Sequence, residues 1–156
     1  MHIHLLAAGT RLPAWINQGY KDYAARLPQE CRLRLKEISL GASRRHGDSI
    51  KAMAEEGTRM LAAIPHRAHV IALEVNGRSF STEQLANQLN RWLQDGRDLA
   101  LMIGGPDGLA KDCVERAETR WSLSPLTLPH ALARVVVAEQ LYRAWTILQN
   151  HPYHRG

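Results

Sequence analysis

Two near-continuous apolar segments limit what this chain can fold into. Residues 69–75 (HVIALEV) and 98–103 (DLALMI) each have the length of a strand and carry almost no polar face. Such runs are typical of parallel strands covered on both faces, whereas strands with one face in water alternate apolar and polar residues. The sequence therefore predicts an α/β domain with a mostly parallel sheet and helices on both of its faces.

Strand and helix patterns alternate along nearly the whole chain. Further strands are predicted at residues 2–8, 32–38 and 119–123, and Asn76-Gly77 predicts a turn after the strand that starts at residue 69. Asp48, and Ser81 together with Gln84, are suited to cap the starts of helices. A long last helix is predicted at residues 131–148. Because no repeat or linker interrupts the pattern, residues 1–156 are predicted to form one domain.

Composition indicates which class of partner the protein binds and in which compartment it is found. The formal net charge is +5 and the pI is about 9.6, which favours a polyanionic partner such as a nucleic acid. Cys31 and Cys113 lack the spacing of metal ligands, so we expect reduced thiols in a cytoplasmic protein. No apolar run approaches the length of a membrane span, and the first residues predict a strand rather than a signal peptide.

A glycine-rich segment follows the second apolar strand. Gly104 and Gly105 open the sequence GGPDG, and without a Cβ they would let a ligand approach the main chain closely. The segment has neither the glycine order of a dinucleotide-binding loop nor the Gly-Lys-Ser/Thr of a phosphate loop. The alternative is a plain tight turn.

An unusual apolar loop follows the last predicted strand. In residues 123–128 (LSPLTL), leucines alternate with small polar residues, which predicts a loop tucked against the domain. Its main-chain amides and carbonyls then need partners. A purine ring held between the leucines could supply them, because its edges form hydrogen bonds. The alternative is a loop whose polar groups are bonded within the protein.

The last helix and the tail behind it suggest two further contacts. The helix is more apolar than one sheet face requires, so it is either deep in the core or buried against a second subunit. The tail, residues 151–155 (HPYHR), combines rings that can stack on bases with charge that can meet phosphate. The alternatives are a frayed terminus and, much more weakly, a metal site formed by His130, His151 and His154.

Other candidates are weaker. Ser124 with His130 suggests a hydrolase, but the chain has no G-x-S-x-G elbow. Arg44, Arg45 and His46 lie in a small basic loop that either contacts RNA phosphate or only keeps the loop soluble.

Several of these segments together resemble the RlmH family of SPOUT-class methyltransferases. The resemblance covers the whole length and is strongest in Gly9-Thr10, residues 101–108 (LMIGGPDG), residues 121–124 (WSLS), residues 126–130 (LTLPH), residues 134–145 (RVVVAEQLYRAW) and residues 150–154 (NHPYH). It implies a C-terminal trefoil knot, a homodimer, and methylation of N3 of a pseudouridine in the 23S ribosomal RNA of the assembled ribosome. It implies neither a metal nor a membrane.

The same resemblance implies S-adenosylmethionine as the cofactor. The positions it assigns to cofactor binding are Leu73, Gly104, Leu123, Ser124, Pro125, Leu126, Thr127 and Leu128. Pro125 has no main-chain N–H, so only its carbonyl and ring can contribute.

The tail predicts the groups that act on the substrate. N3 must lose a proton as it attacks the methyl group, so we expect His154 or Tyr153 near the target base. Arg143 is expected to position RNA or to stabilise developing negative charge. Two other functions remain open at this point: a ribosome- or RNA-binding factor without catalysis, and a tRNA methyltransferase on the same fold.

Overall fold

A computed structural model describes residues 1–155. Its sheet has five strands, β1 (His2–Ala8), β2 (Arg32–Ile38), β3 (His69–Ser79), β4 (Leu99–Ile103) and β5 (Thr119–Ser122). Their order is β2-β1-β4-β3-β5, and every neighbouring pair is parallel. The predicted parallel α/β sheet is therefore confirmed.

Five α-helices and three short 3₁₀ segments connect and follow these strands. The helices are α1 (Ala14–Ala24), α2 (Ser49–Ala62), α3 (Thr82–Asp95), α4 (Lys111–Arg116) and α5 (His130–Leu148), and the 3₁₀ segments are Gln29–Cys31, Ala42–His46 and Pro152–Arg155. Asp48 accepts a hydrogen bond from the Lys51 amide, and Ser81 forms a reciprocal capping box with Gln84, as predicted.

Helices cover both faces of the sheet, which explains the near-continuous apolar strands. One core packs α1, α3 and α5 on side chains such as Ile3 and Leu101. The other packs α2 and α4 on side chains such as Leu6 and Met102. Successive strand residues point to opposite faces, so a strand buried on both sides needs apolar residues at nearly every position.

The predicted turn at Asn76-Gly77 is wrong, because β3 continues to Ser79. The register between β3 and β5 shifts, so that Leu73 and Arg78 both pair with Trp121. The residues between them bulge out of the ladder. A Cβ on Gly77 would lie 2.7 Å from the carbonyl carbon of Arg120, so glycine serves close main-chain packing here.

Helix α5 lies between α1 and α3 on one face of the sheet. Each of its residues is at least half-buried, which places this helix deep within its own chain's core. Within residues 1–155, no helix is long and apolar enough to cross a membrane.

Candidate active site

A cavity of about 800 Å³ opens beyond the carboxyl ends of β3, β4 and β5. In open parallel sheets this edge is where ligands bind, because the loops that follow the strands meet there. The lining comes from three loops, from α4 and from the first turns of α5. It comprises Leu73, Glu74, Val75, Ile103, Gly104, Gly105, Pro106, Asp107, Gly108, Leu109, Val114, Leu123, Ser124, Leu126, Thr127, Leu128, Pro129, His130 and Ala133.

The structure brings seven of the eight predicted cofactor positions around this cavity. Leu73, Gly104, Leu123, Ser124, Leu126, Thr127 and Leu128 all line it. Pro125 is exposed and is not part of the lining. Residues that the sequence analysis missed include Val75, Asp107 and Val114; they lie close to predicted positions in sequence or in space, but no local pattern distinguished them.

The bulge in β3 forms one wall of the cavity. It places Glu74 and Val75 where the ladder with β5 is interrupted, and Val75 is 53% exposed. Residues in such a bulge do not all have ladder partners, so their main-chain groups can face a ligand instead.

The glycine loop forms a second wall. A Cβ on Gly104 would lie 2.3 Å from the carbonyl carbon of Gly108, and one on Gly105 would lie 3.2 Å from Leu40 Cδ2. The glycine at position 104 therefore also serves the loop's own packing, while the predicted approach of a ligand to these glycines stays a prediction. Gly108 has a φ of +87° and donates its amide to Gly105, which closes the turn.

The apolar loop after β5 forms the third wall. The Ser124 hydroxyl accepts from the Leu126 amide at 2.9 Å, and the Ser122 hydroxyl donates to the Ser124 carbonyl at 3.2 Å. Within the described part of the chain, no main-chain hydrogen bond joins residues 124–128 to the rest of the backbone. Leu126 is 73% exposed. Apart from the Leu126 amide and the Ser124 carbonyl, the loop thus presents main-chain amides and carbonyls without main-chain partners, together with apolar surface, beside the cavity.

His130 begins α5 at the margin of the cavity. Burial lowers the pKa of His130, and the nearby positive charges of Arg134 and Arg44 lower it further. The imidazole is therefore neutral at neutral pH. It can accept or donate a hydrogen bond without bringing a charge into the cavity.

The predicted catalytic residues form a separate cluster at the other end of α5. Glu139 accepts from Arg143 Nε at 3.0 Å and from the Tyr153 hydroxyl at 2.9 Å. The Arg143 guanidinium lies 4.9 Å from the centre of the Tyr153 ring, which also packs edge-on against Tyr142. The tail is therefore ordered on α5 rather than frayed.

The two predicted proton acceptors differ in environment. Burial raises the pKa of Tyr153, and its hydrogen bonds with Glu139 and Tyr23 raise it further, so the phenol keeps its proton. His154 is half-buried, and its Nδ1 is enclosed without a hydrogen-bond partner within residues 1–155. The phenol is therefore the less suited of the two side chains to accept a proton.

The cavity and the tail cluster lie far apart within one chain. Ala133 lines the cavity, and Arg143 lies ten residues later on the same straight helix, which is about 15 Å along the axis. The same separation rules out a metal site formed by His130 and the tail histidines. Among the described residues, no group of three or more His, Cys, Asp or Glu side chains could hold a metal ion.

The chain matches a protein family and several relatives over its full length. A family model described as predicted SPOUT methyltransferase matches residues 1–154. The chain is 55% identical over 155 residues to ribosomal RNA large subunit methyltransferase H of Methylococcus capsulatus, covering 99% of this chain and 100% of that one. It is 49% identical over 155 residues to the protein of that name from Pseudomonas putida, with the same coverage.

Solved structures share the fold at much lower identity. TrmJ from Z. mobilis ZM4 superposes with a TM-score of 0.52 at 21% identity, covering 94% of this chain and 70% of that one. A probable methylase family protein from Haemophilus influenzae Rd KW20 gives a TM-score of 0.54 at 14% identity, with coverage of 97% and 69%. Taken with the matches over the whole sequence, this places the chain in the RlmH family of SPOUT methyltransferases.

Proposed function

We propose that this chain methylates N3 of a pseudouridine in 23S ribosomal RNA, with S-adenosylmethionine as the methyl donor. Relatives that are 49–55% identical over the whole length are named ribosomal RNA large subunit methyltransferase H, which supports an RNA of the large ribosomal subunit as substrate. The resemblance supplies the pseudouridine N3 and the assembled ribosome, and the cytoplasm as the place of action follows from Cys31 and Cys113 as reduced thiols. The observation that carries the proposal is the cavity between the three carboxyl-end loops.

The residues around that cavity fit the proposed cofactor. A volume of about 800 Å³ lies within the usual range for small-ligand sites, which are mostly apolar with a few polar groups. Leu123, Leu126 and Leu128 would enclose the adenine ring, while unpaired main-chain groups of residues 124–128 would bond its edges. Leu73 and Gly104 would contact the rest of the molecule, and Pro125 would contribute its carbonyl or ring.

The carboxyl-terminal part of the domain is proposed to be threaded as a trefoil knot. Arg134 of α5 donates to the carbonyl oxygens of Ala8 and Gly9, at 3.3 and 2.8 Å, so α5 starts beside the end of β1. The strand that precedes α5 is β5, at the far edge of the sheet beyond β3 and β4. A chain that crosses the sheet in this way has to pass the loops after both strands, which is where a knot would form.

Catalysis requires alignment and removal of one proton. When bound, S-adenosylmethionine supplies an electrophilic methyl group. The chain's residues must hold N3 in line with that group and accept the proton that N3 releases. We assign the acceptor role to His154, because an imidazole can take up a proton while Tyr153 keeps its own. Tyr153 orients the tail through Glu139, and Arg143 stabilises negative charge on the base.

A homodimer would bring the two halves of this site together. Within one chain the tail contacts α5 at Glu139, about 9 Å along the axis from Ala133, and no residue of the described tail lines the cavity. In a two-fold dimer each tail can lie over the cavity of the other copy. The exposed Trp15 side chain, which lies outside the cavity lining, offers apolar surface for such a contact.

The proposed function is tested with ribosomes and labelled S-adenosylmethionine. Ribosomes that lack the modification are incubated with the protein, and the RNA is digested and analysed by mass spectrometry. The expected result is one labelled methyl group on N3 of a pseudouridine in 23S RNA. Label in tRNA alone would indicate the tRNA methyltransferase alternative. Failure to bind the cofactor in calorimetry would favour a non-catalytic binding factor.

A further inference from the structure

The side chain of Arg44 joins three separate segments next to the cavity. Its Nε and Nη2 donate to the two carboxylate oxygens of Glu56 on α2, both at 2.8 Å. Its Nη1 donates to Asp107 of the glycine loop at 2.6 Å. Arg44 itself lies in the 3₁₀ segment Ala42–His46. Arg44 is therefore engaged by these two carboxylates, which limits the predicted phosphate-binding role of the basic loop at this position.

Glu56 is the buried centre of this network. It is 3% exposed and also accepts from the Gly41 amide at 2.7 Å. Burial alone would raise its pKa, but the hydrogen bonds from Arg44 and Gly41 outweigh burial and hold the pKa of Glu56 below its ordinary value. The carboxylate is thus charged and fully bonded. A bidentate pair of this kind fixes orientation as well as distance.

The glycine loop packs directly on the network. A Cβ on Gly105 would lie 3.4 Å from Glu56 Oε1, so the charged pair lies behind the wall of the cavity. Asp107 is the residue of the loop that accepts a hydrogen bond from Arg44. It lines the cavity, whereas Arg44 and Glu56 do not. The main-chain path of the loop is therefore set from outside the cavity.

We propose that Arg44 and Glu56 are positioning residues that hold the loop of residues 104–108 in the form that receives the adenosyl cofactor. This inference rests on the proposed function for the identity of the ligand. The loop's own bonds are the short Gly105–Gly108 bridge and turn, and the Arg44–Asp107 pair ties the loop to α2 through Glu56. Removal of Arg44 also leaves the buried Glu56 charge without its partner.

The test compares Arg44→Ala with Arg45→Ala, which removes the same charge from an exposed position in the same 3₁₀ segment. Hydrogen exchange of residues 104–109 reports the loop, and calorimetry reports the affinity for S-adenosylmethionine. We expect Arg44→Ala to speed exchange of the Gly108 amide at least tenfold and to weaken binding about tenfold, as loss of one well-placed charged bond would do. Arg45→Ala should change neither.

Two further variants separate positioning from general destabilisation. Asp107→Asn keeps the buried Arg44–Glu56 pair but weakens the link to the loop, so exchange should rise in residues 104–109 and stay unchanged in α3. Arg44→Lys keeps the positive charge but cannot form the bidentate pair with Glu56. Its affinity for the cofactor should therefore lie between those of Arg44→Ala and the parent. Saturating cofactor should restore turnover in Arg44→Ala, because the defect lies in binding.

The proposal and the proposed function can fail independently. If the parent protein did not bind S-adenosylmethionine, the function would be wrong, while the exchange data would still report whether Arg44 holds the loop. Unchanged exchange in both Arg44→Ala and Asp107→Asn would overturn the positioning role. Faster exchange with unaltered affinity would also overturn it, because the loop would then be held for stability alone.

Discussion

The two ends of α5 differ in chemistry and in construction. At its start, α5 borders a cavity of loops whose free groups are main-chain amides, carbonyls and leucine side chains. At its end, a cluster of side chains surrounds Glu139, with Arg143 and Tyr153 bonded to the same carboxylate oxygen. Main-chain groups suit an uncharged ring held in one orientation, whereas arginine and aromatic side chains suit RNA.

This difference suggests a division of work along one helix. Under the proposed function, the start of α5 belongs to the cofactor site and its end to the substrate and to proton transfer. Because a straight helix keeps its two ends at a fixed distance, the two functions can be disturbed separately by mutation. The following variants use that separation.

The largest effect is expected from His154→Ala. Loss of the proton acceptor should lower turnover on ribosomes by about 100-fold or more, while the affinity for S-adenosylmethionine stays unchanged. Turnover with labelled cofactor and calorimetry measure the two quantities. His66→Ala, an exposed histidine just before β3, serves as the control and should be neutral. Normal turnover in His154→Ala would remove this residue from the mechanism.

A substitution in the loop before α5 should instead weaken cofactor binding. Leu126→Asp removes an apolar contact worth about 1.5–3 kcal/mol on full burial, so we expect the cofactor's Kd to rise about tenfold to hundredfold. Binding of ribosomes should be retained. Ile50→Asp places the same charge on an exposed side chain of α2 as a control. An unchanged Kd in Leu126→Asp would show that this loop does not contact the cofactor.

A smaller effect is expected from Tyr153→Phe. The ring contacts with Tyr142 and Arg143 remain, and the hydroxyl's hydrogen bonds, to Glu139 at 2.9 Å and with Tyr23, are lost. A neutral donor to a carboxylate contributes about 1.5 kcal/mol, so turnover should fall about tenfold. A loss as large as that of His154→Ala would instead identify the phenol as the proton acceptor.

The smallest effect is expected in the pH dependence of the free energy of unfolding. The folded pKa of Glu56 lies below the value of about 4.3 for an unperturbed glutamate. Its contribution to stability is therefore fully present above that pH and is lost as the pH falls through the folded pKa. Denaturant unfolding from pH 6 to pH 3 should show that Glu56→Gln loses less stability over this range than the parent does. Parallel curves would mean that Glu56 is not held charged by Arg44.

Much of the fold could be predicted because the pattern is local. The strands at residues 2–8 and 32–38 match the structure, as do both predicted caps, since alternation and capping depend on neighbours a few residues apart. The turn at Asn76-Gly77 was wrong because a tertiary contact with Arg120 uses the glycine for packing. On α2 the apolar Ile50 is 84% exposed, while the charged Glu56 is buried.

The site could be predicted only in part, because some of its contacts join residues that are far apart in the sequence. The cavity residues follow strand ends, which the sequence locates. The Arg44 network joins residues 12 and 63 positions away from Arg44, and neither spacing is a local pattern. The spacing of Glu139 and Arg143, four residues apart on α5, is a local pattern, but the contact of Glu139 with Tyr153 depends on the return of the tail onto α5, which is a tertiary event.

The central claim is that each site combines the cavity of one copy with the tail of another. It is tested most directly by mixing two inactive variants: Thr127→Trp, whose large ring should fill the cavity and whose loss of cofactor binding is first checked by calorimetry, and His154→Ala. In a mixed dimer one of the two sites is then intact, so co-expression should restore about a quarter of the parent turnover. If the mixture were as inactive as each variant alone, the tail would act on the cavity of its own chain or not at all, and the account would be contradicted.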